Sequence, residues 1–144
     1  LYKRETIDFD KMQDFYKKYL GEIYAYISSS KELKPERHAS GMYFDWNEED
    51  QTTDMAAAVP FKPKDENVVL SSLKFETKEL SGEAYKLEFY GDYEKLEEAH
   101  NAIHKYLENN EIAMSEVVLE EYVIGPDEEP SPAKWLTNIY YFAK

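Results

Sequence analysis

Two adjacent carboxylates, Glu120 and Glu121, lie inside the apolar run 117–124. A carboxylate removed from water is costly unless it is paired or protonated. One that points inward is therefore a candidate for holding a cation or moving a proton. Neighbouring residues on a strand face opposite ways. Glu120 would share a face with Tyr122 and Ile124, and Glu121 with Leu119 and Val123. Alternation alone leaves open which of the two points inward, and also a solvent-facing pair on a half-exposed sheet.

Other constellations carry less. His100 and His104 stand four apart, with Glu97 one turn earlier, a spacing that lets two imidazoles share a metal. His100, however, falls in an apolar helical stripe and no companion ligand motif is present, so it reads as a core histidine and no metal is assigned. Asp45, Asn47 and Glu49 imitate the start of a calcium loop, but Asp50 and Ala56 stand where glycine and glutamate are needed. Ser28 and Lys31 have the serine-x-x-lysine spacing of some acyl transferases without the companion motifs. There is no glycine-rich phosphate loop, no Gly-x-Ser-x-Gly elbow and no cysteine. Nucleotide hydrolysis, serine hydrolysis and thiol chemistry have no support, and no cofactor is expected.

The elements that must position these groups follow from periodicity. Phe9, Met12, Tyr16, Tyr19, Leu20, Ile23 and Ile27 recur at helical spacing over 9–29, with Asp8 placed to cap the start. Gly21 in mid-helix costs about 1 kcal/mol relative to alanine, which close approach of another backbone would explain. Strands are expected over 40–46 and 53–61, joined by the acidic turn 47–51 as a hairpin. A polar linker at 62–67 contains Pro63. Strands over 68–73 and 83–90 follow. A second helix starts at Gly91-Asp92 with the stripe Tyr93, Leu96, His100, Ile103 and Leu107, and ends near Asn109. Strands over 117–124 and 135–142 flank an acidic, proline-rich turn.

One unit, a long helix followed by two strands across an acidic turn, thus occurs twice. The predicted fold is α+β, with two β-α-β-β repeats of pseudo-two-fold symmetry and antiparallel sheets around a central ligand cleft. The first repeat covers about 1–61 and the second about 68–144, in a single domain. Hydrophobic residues make up 42% of the 144, enough for a core without staples. Leu1 rather than Met opens the chain, as in a segment of a longer protein, and the first strand reads as cut, with 1–4 as its end. A formal charge of −13 opposes direct nucleic-acid contact. No apolar run approaches the ~20 residues that span a bilayer. No signal peptide opens the chain, and a cytoplasmic location is expected.

Five stretches in order carry a family resemblance: Gly41-Met42-Tyr43-Phe44-Asp45-Trp46, Thr53-Asp54-Met55-Ala56-Ala57-Ala58-Val59-Pro60, Gly91-Asp92-Tyr93-Glu94-Lys95-Leu96, Glu120-Glu121-Tyr122-Val123-Ile124-Gly125-Pro126 and Trp135-Leu136-Thr137-Asn138-Ile139-Tyr140. Together they resemble the GyrI-like effector-binding family over almost the whole chain. The resemblance implies a small-molecule-binding domain, often for lipophilic cations. Such domains act as the sensors of bacterial multidrug-responsive transcription regulators or as stand-alone proteins, and a DNA-binding or other domain could precede residue 1. The family's pocket glutamate lies in a Glu-x-Tyr pattern six residues before a proline, which selects Glu120. Tyr43 and Tyr93 match family pocket aromatics, and Trp135 and Tyr140 lie in matching motifs. Some relatives are hydrolases of strained electrophilic toxins, and in that reading Glu120 and Tyr43 would be catalytic. A third reading, an acidic protein-interaction module, rests on charge alone.

Overall fold

The structure is a computed structural model that describes residues 1–144 apart from the side chain of Ser72. Its contacts divide into two compact units, Leu1–Leu80 and Ser81–Lys144. The boundary falls later than the linker expected at 62–67. Residues 61–80 belong to the first unit.

In the first unit, β1 (Tyr2–Asp8) leads through a 3-10 turn (Phe9–Lys11) into α1 (Met12–Ser29). Then come β2 (Leu33–Pro35), β3 (Ser40–Asn47), β4 (Thr52–Ala58) and β5 (Phe61–Pro63). The main sheet of this unit runs β1-β4-β3, all antiparallel, and β2 pairs with β5 in a small second ladder. α1 buries Phe15, Ile23 and Ile27; the two isoleucines belong to the stripe expected from the sequence, and Phe15 lies outside it. Ile23, Ile27, Leu33, Val59 and Phe75 form one core cluster, and Phe15, Met55 and Ala57 another.

The β3–β4 turn is fixed locally. Asn47 Oδ1 accepts the Asp50 backbone N–H at 3.0 Å, and Gln51 closes the turn at φ 54°. Four expectations change here. Asp8 precedes the helix in extended backbone but makes no side-chain cap bond. β1 is longer than the remnant expected at 1–4 and pairs with β4 over seven residues. The expected linker begins inside β5, whose proline, like that of β2, ends its strand and so removes no interior ladder bond. The expected strand at 68–73 is instead a 3-10 turn (Leu70–Ser72), with Val69 59% and Leu70 44% exposed. An apolar run without alternation does not by itself find a ladder partner.

Gly21 has nothing within 4 Å of where a Cβ would stand, so no backbone approaches it. It lies exposed in the middle of α1. Gly21→Ala should therefore raise the free energy of unfolding by about 1 kcal/mol in a urea titration. A loss of stability would show that the position carries a constraint other than helix propensity.

The second unit has the order β6 (Ala84–Tyr90), a 3-10 turn (Tyr93–Lys95), α2 (Leu96–Asn109), β7 (Met114–Ile124) and β8 (Leu136–Ala143). Its strands run β7-β8-β6, antiparallel throughout. Asp92 starts the helical segment, its carboxylate accepting the Glu94 backbone N–H at 3.1 Å. Ala99, Ile103 and Leu107, four residues apart, set α2 onto Ile139 and Tyr141 of β8. Among the described residues no helix is long and apolar enough to cross a membrane.

Candidate functional site

Cross-strand register decides the faces of β7. Glu120 stands opposite Ile139 and Val118 opposite Tyr141, so Glu120 lies on the face that α2 covers. Glu121 stands opposite Asn138 and Leu119 opposite Tyr140, on the other face. Both carboxylates are buried, Glu120 at 5% and Glu121 at 3% exposure. Each therefore needs partners on its own side of the strand.

Glu120 finds them in a continuous chain. His100 Nε2 lies 2.6 Å from Glu120 Oε2, and His100 Nδ1 lies 2.6 Å from the Tyr141 hydroxyl. The Tyr122 hydroxyl donates to Glu120 Oε1 at 2.8 Å. Burial first, and the Glu120 charge second, push the Tyr141 phenol well above its ordinary value, so it remains a hydroxyl. With His100 in its Nε2–H tautomer, every proton in the chain has an acceptor: Tyr141 donates to Nδ1, and Nε2–H and Tyr122 donate to Glu120. Both oxygens of Glu120 are thereby held in place, Oε2 by His100 and Oε1 by Tyr122.

Aromatic rings extend from this carboxylate. Tyr122 meets Tyr93 at 5.7 Å between centroids, and Tyr93 meets Trp135 at 4.9 Å. The Tyr93 phenol is raised by burial, then by Glu128, Glu120 and Asp127, so its hydroxyl lies within the field of Glu120. Trp135 is fixed by donation from Nε1 to the Glu129 carbonyl at 2.6 Å. Gly125 permits the arrangement, since a Cβ there would stand 2.9 Å from the Tyr93 hydroxyl oxygen. Thr137, opposite Tyr122, is fully buried, and its hydroxyl has no partner among the described residues.

The structure thus brings Glu120, Tyr93 and Trp135 together, through Tyr122. Tyr140 does not join them. It lies on the opposite face of β8, its hydroxyl 3.3 Å from Glu121 Oε1, because Tyr140 and Ile139 alternate across the strand. Tyr43 belongs to the first unit. Its hydroxyl lies 2.7 Å from that of Tyr16 on α1, and its ring meets Trp46 edge-on. His100 is the satisfied histidine its apolar stripe predicted, with both ring nitrogens engaged. His104 packs edge-on against Tyr141 at 4.9 Å. No group of three His, Cys, Asp or Glu among the described residues is placed to hold a metal. An open hollow of about 390 Å³ lies wholly in the first unit, lined by Tyr2, Leu73, Phe75 and neighbours, and holds none of the candidate groups.

Sequence reasoning missed Tyr141 and Asn138. Both stand on β8 directly across from β7, where the strand register pairs them with Val118 and Glu121.

No protein-family model matches the chain, and no curated protein does. Solved structures do match its fold. EcmrR, in its complex with DNA in EcmrR-RPo, superposes with a TM-score of 0.69 at 14% identity, over 100% of this chain and 57% of that one. The chain therefore spans little more than half the length of EcmrR. The EcmrR C-terminal domain alone matches with a TM-score of 0.67 at 14% identity, over 100% of this chain and 97% of the domain. SAV2435 bound to tetraphenylphosphonium matches at 0.63 and 14% identity, over 98% of this chain and 85% of that one. At these identities the likeness is one of fold: this chain has the α+β fold, with antiparallel sheets, of the EcmrR C-terminal domain and of SAV2435.

Proposed function

We propose that the chain is a small-molecule effector-binding domain of the GyrI-like kind, with a lipophilic cation as ligand and Glu120 as its anionic anchor. The observation that carries this reading is a 5% exposed carboxylate at the head of a row of rings, Tyr122, Tyr93 and Trp135. A cation lying on those rings gains about 0.5–2 kcal/mol from a ring face, more when water is excluded. It also feels the charge of Glu120 without breaking the bond from His100. The shared fold with SAV2435 bound to tetraphenylphosphonium supports the ligand class, and the ordered motifs support the family. Tyr43 enters as a ligand-contacting aromatic on the family resemblance alone.

By the same reading the chain is the sensor segment of a bacterial transcription regulator, with DNA contacted by a separate segment. Its span of 57% of EcmrR, seen with DNA, agrees with that division. The net charge of −13 argues against DNA contact by this segment itself.

The test is titration calorimetry with tetraphenylphosphonium and with a neutral aromatic of similar size. Glu120→Gln keeps an acceptor for Tyr122 and removes the charge. It should weaken the cation at least about tenfold, or about 1.4 kcal/mol, and leave the neutral compound unchanged. Equal losses for both compounds would sink the charge-anchor mechanism. Turnover of a strained electrophile that disappears in Glu120→Gln would instead establish a hydrolase.

A further inference from the structure

We propose that the outer edge of β6 is a docking strand for a second copy of this chain, the two β6 strands pairing antiparallel about a two-fold axis at Leu87. β6 ends the strand order β7-β8-β6, and among the described residues no strand pairs with its other side. An unpaired edge offers its backbone groups to another strand. The edge strand of the first unit differs, since the Tyr2 backbone N–H there donates to the Glu76 carbonyl at 3.0 Å.

The bonds to β8 fix which residues of β6 face outward. Ala143 N–H donates to the Glu83 carbonyl, and Gly91 N–H to the Trp135 carbonyl, both at 2.9 Å. The ladder between these ends has no register shift, so odd-numbered residues bond to β8. Ala84, Lys86, Glu88 and Tyr90 therefore turn their N–H and C=O groups to the open side.

Charge then selects the partner and the register. With the axis at Leu87, Lys86 stands opposite Glu88 of the second copy, twice by symmetry. Sliding the strands by two residues either way sets Lys86 against Lys86 or Glu88 against Glu88, which like-charge repulsion disfavours. Each Lys86 already lies 3.2 Å from its own Glu88, and gains a second carboxylate across the axis. Sizes match in the same register. Tyr90, 61% exposed, stands opposite Ala84, and on the face toward α2 Tyr85 stands opposite Phe89. Tyr106 of α2, 54% exposed and 6.3 Å from the Tyr85 ring, extends that apolar strip. A net charge of −13 on each copy opposes any association that lacks such local attraction.

Sedimentation of the native chain from about 1 μM to about 1 mM should show a monomer passing to a species of twice 17.0 kDa. Lys86→Glu and Glu88→Lys should each weaken this dimer at least about tenfold, since each sets like charges opposite one another twice. The double exchange, Lys86→Glu with Glu88→Lys, should return to within about threefold of the native affinity. The two single variants mixed together should associate with each other, because one edge is then wholly acidic and the other wholly basic. Circular dichroism checks that each variant is folded. Leu87→Cys supplies the one thiol of a chain that has no cysteine. Across the axis its Cα atoms stand about 4.5 Å apart, within disulfide reach. Oxidised glutathione should therefore link the copies, and at least about tenfold more slowly when Lys86→Glu is added. A native chain that stays monomeric, a dimer that survives both single reversals, or a double exchange that stays monomeric overturns the proposal. None of these readings involves a ligand, so the Glu120 reading stands or falls separately.

Discussion

His100→Leu should lower the free energy of unfolding by about 3 kcal/mol, read from urea denaturation followed by circular dichroism. The imidazole holds two buried groups at once, the Glu120 carboxylate and the Tyr141 hydroxyl, each at 2.6 Å. Leucine fills similar space and is the better helix former, so neither lost volume nor α2 propensity accounts for a loss. The cost comes from Glu120, left at 5% exposure with only Tyr122 among the partners described here. Breaking a buried pair by removing one partner costs about 3–5 kcal/mol, whereas replacing both with apolar groups is often near neutral. The double variant His100→Leu with Glu120→Leu should therefore recover most of the loss. If the double variant is as unstable as the sum of the two singles, the pair is not a coupled unit. Phe substituted at Tyr141 should cost less than His100→Leu, since it strands only Nδ1 of an imidazole that keeps its bond to Glu120.

That pair shows where sequence reading stops. The helical periods of α1 and α2 and the acidic turn between β3 and β4 are local patterns, and the structure keeps them. Alternation on β7 correctly sorted Glu120 with Tyr122 and Glu121 with Leu119. It could not say which face is covered, because cover comes from elements far along the chain. His100 reaches Glu120 only once α2 docks on β8 through Ile103 and Leu107. The expectation of one inward and one solvent-facing carboxylate failed for that reason: both faces of β7 are buried at this point. The family resemblance groups Tyr140 with Glu120 through a matching motif, and a single step of strand alternation moves it to Glu121. The run 68–73 misled in the opposite sense, since its apolar residues have composition but no period.

Gly125→Ala gives the second large effect expected, and it acts on the rings rather than on the charge. A methyl at this position stands 2.9 Å from the Tyr93 hydroxyl oxygen, closer than side-chain contacts allow. The end of a loose side chain would swing aside at little cost. Tyr93 is not loose, because its ring lies between Tyr122 and Trp135. Trp135 is itself held at its indole nitrogen by Glu129, and its carbonyl accepts the Gly91 backbone N–H at 2.9 Å. The Gly125 backbone is equally constrained: its N–H donates to Glu128 at 2.8 Å, and its carbonyl accepts from the backbone N–H groups of Glu128 and Glu129. Overpacking a site this well tied typically costs about 1–3 kcal/mol. Gly125→Ala should lose about that much stability and change the near-ultraviolet circular dichroism of the Tyr93–Trp135 pair. Removing the hydroxyl that meets the new methyl, by Phe in place of Tyr93, should restore stability to within about 0.5 kcal/mol of the Phe single variant, because coupled neighbours do not add. If the double variant gains nothing, the strain lies in the turn backbone rather than against the ring. Tetraphenylphosphonium affinity should fall with Gly125→Ala and recover in the double variant, since a cation lying on this row needs the Tyr93 ring in place and not its hydroxyl.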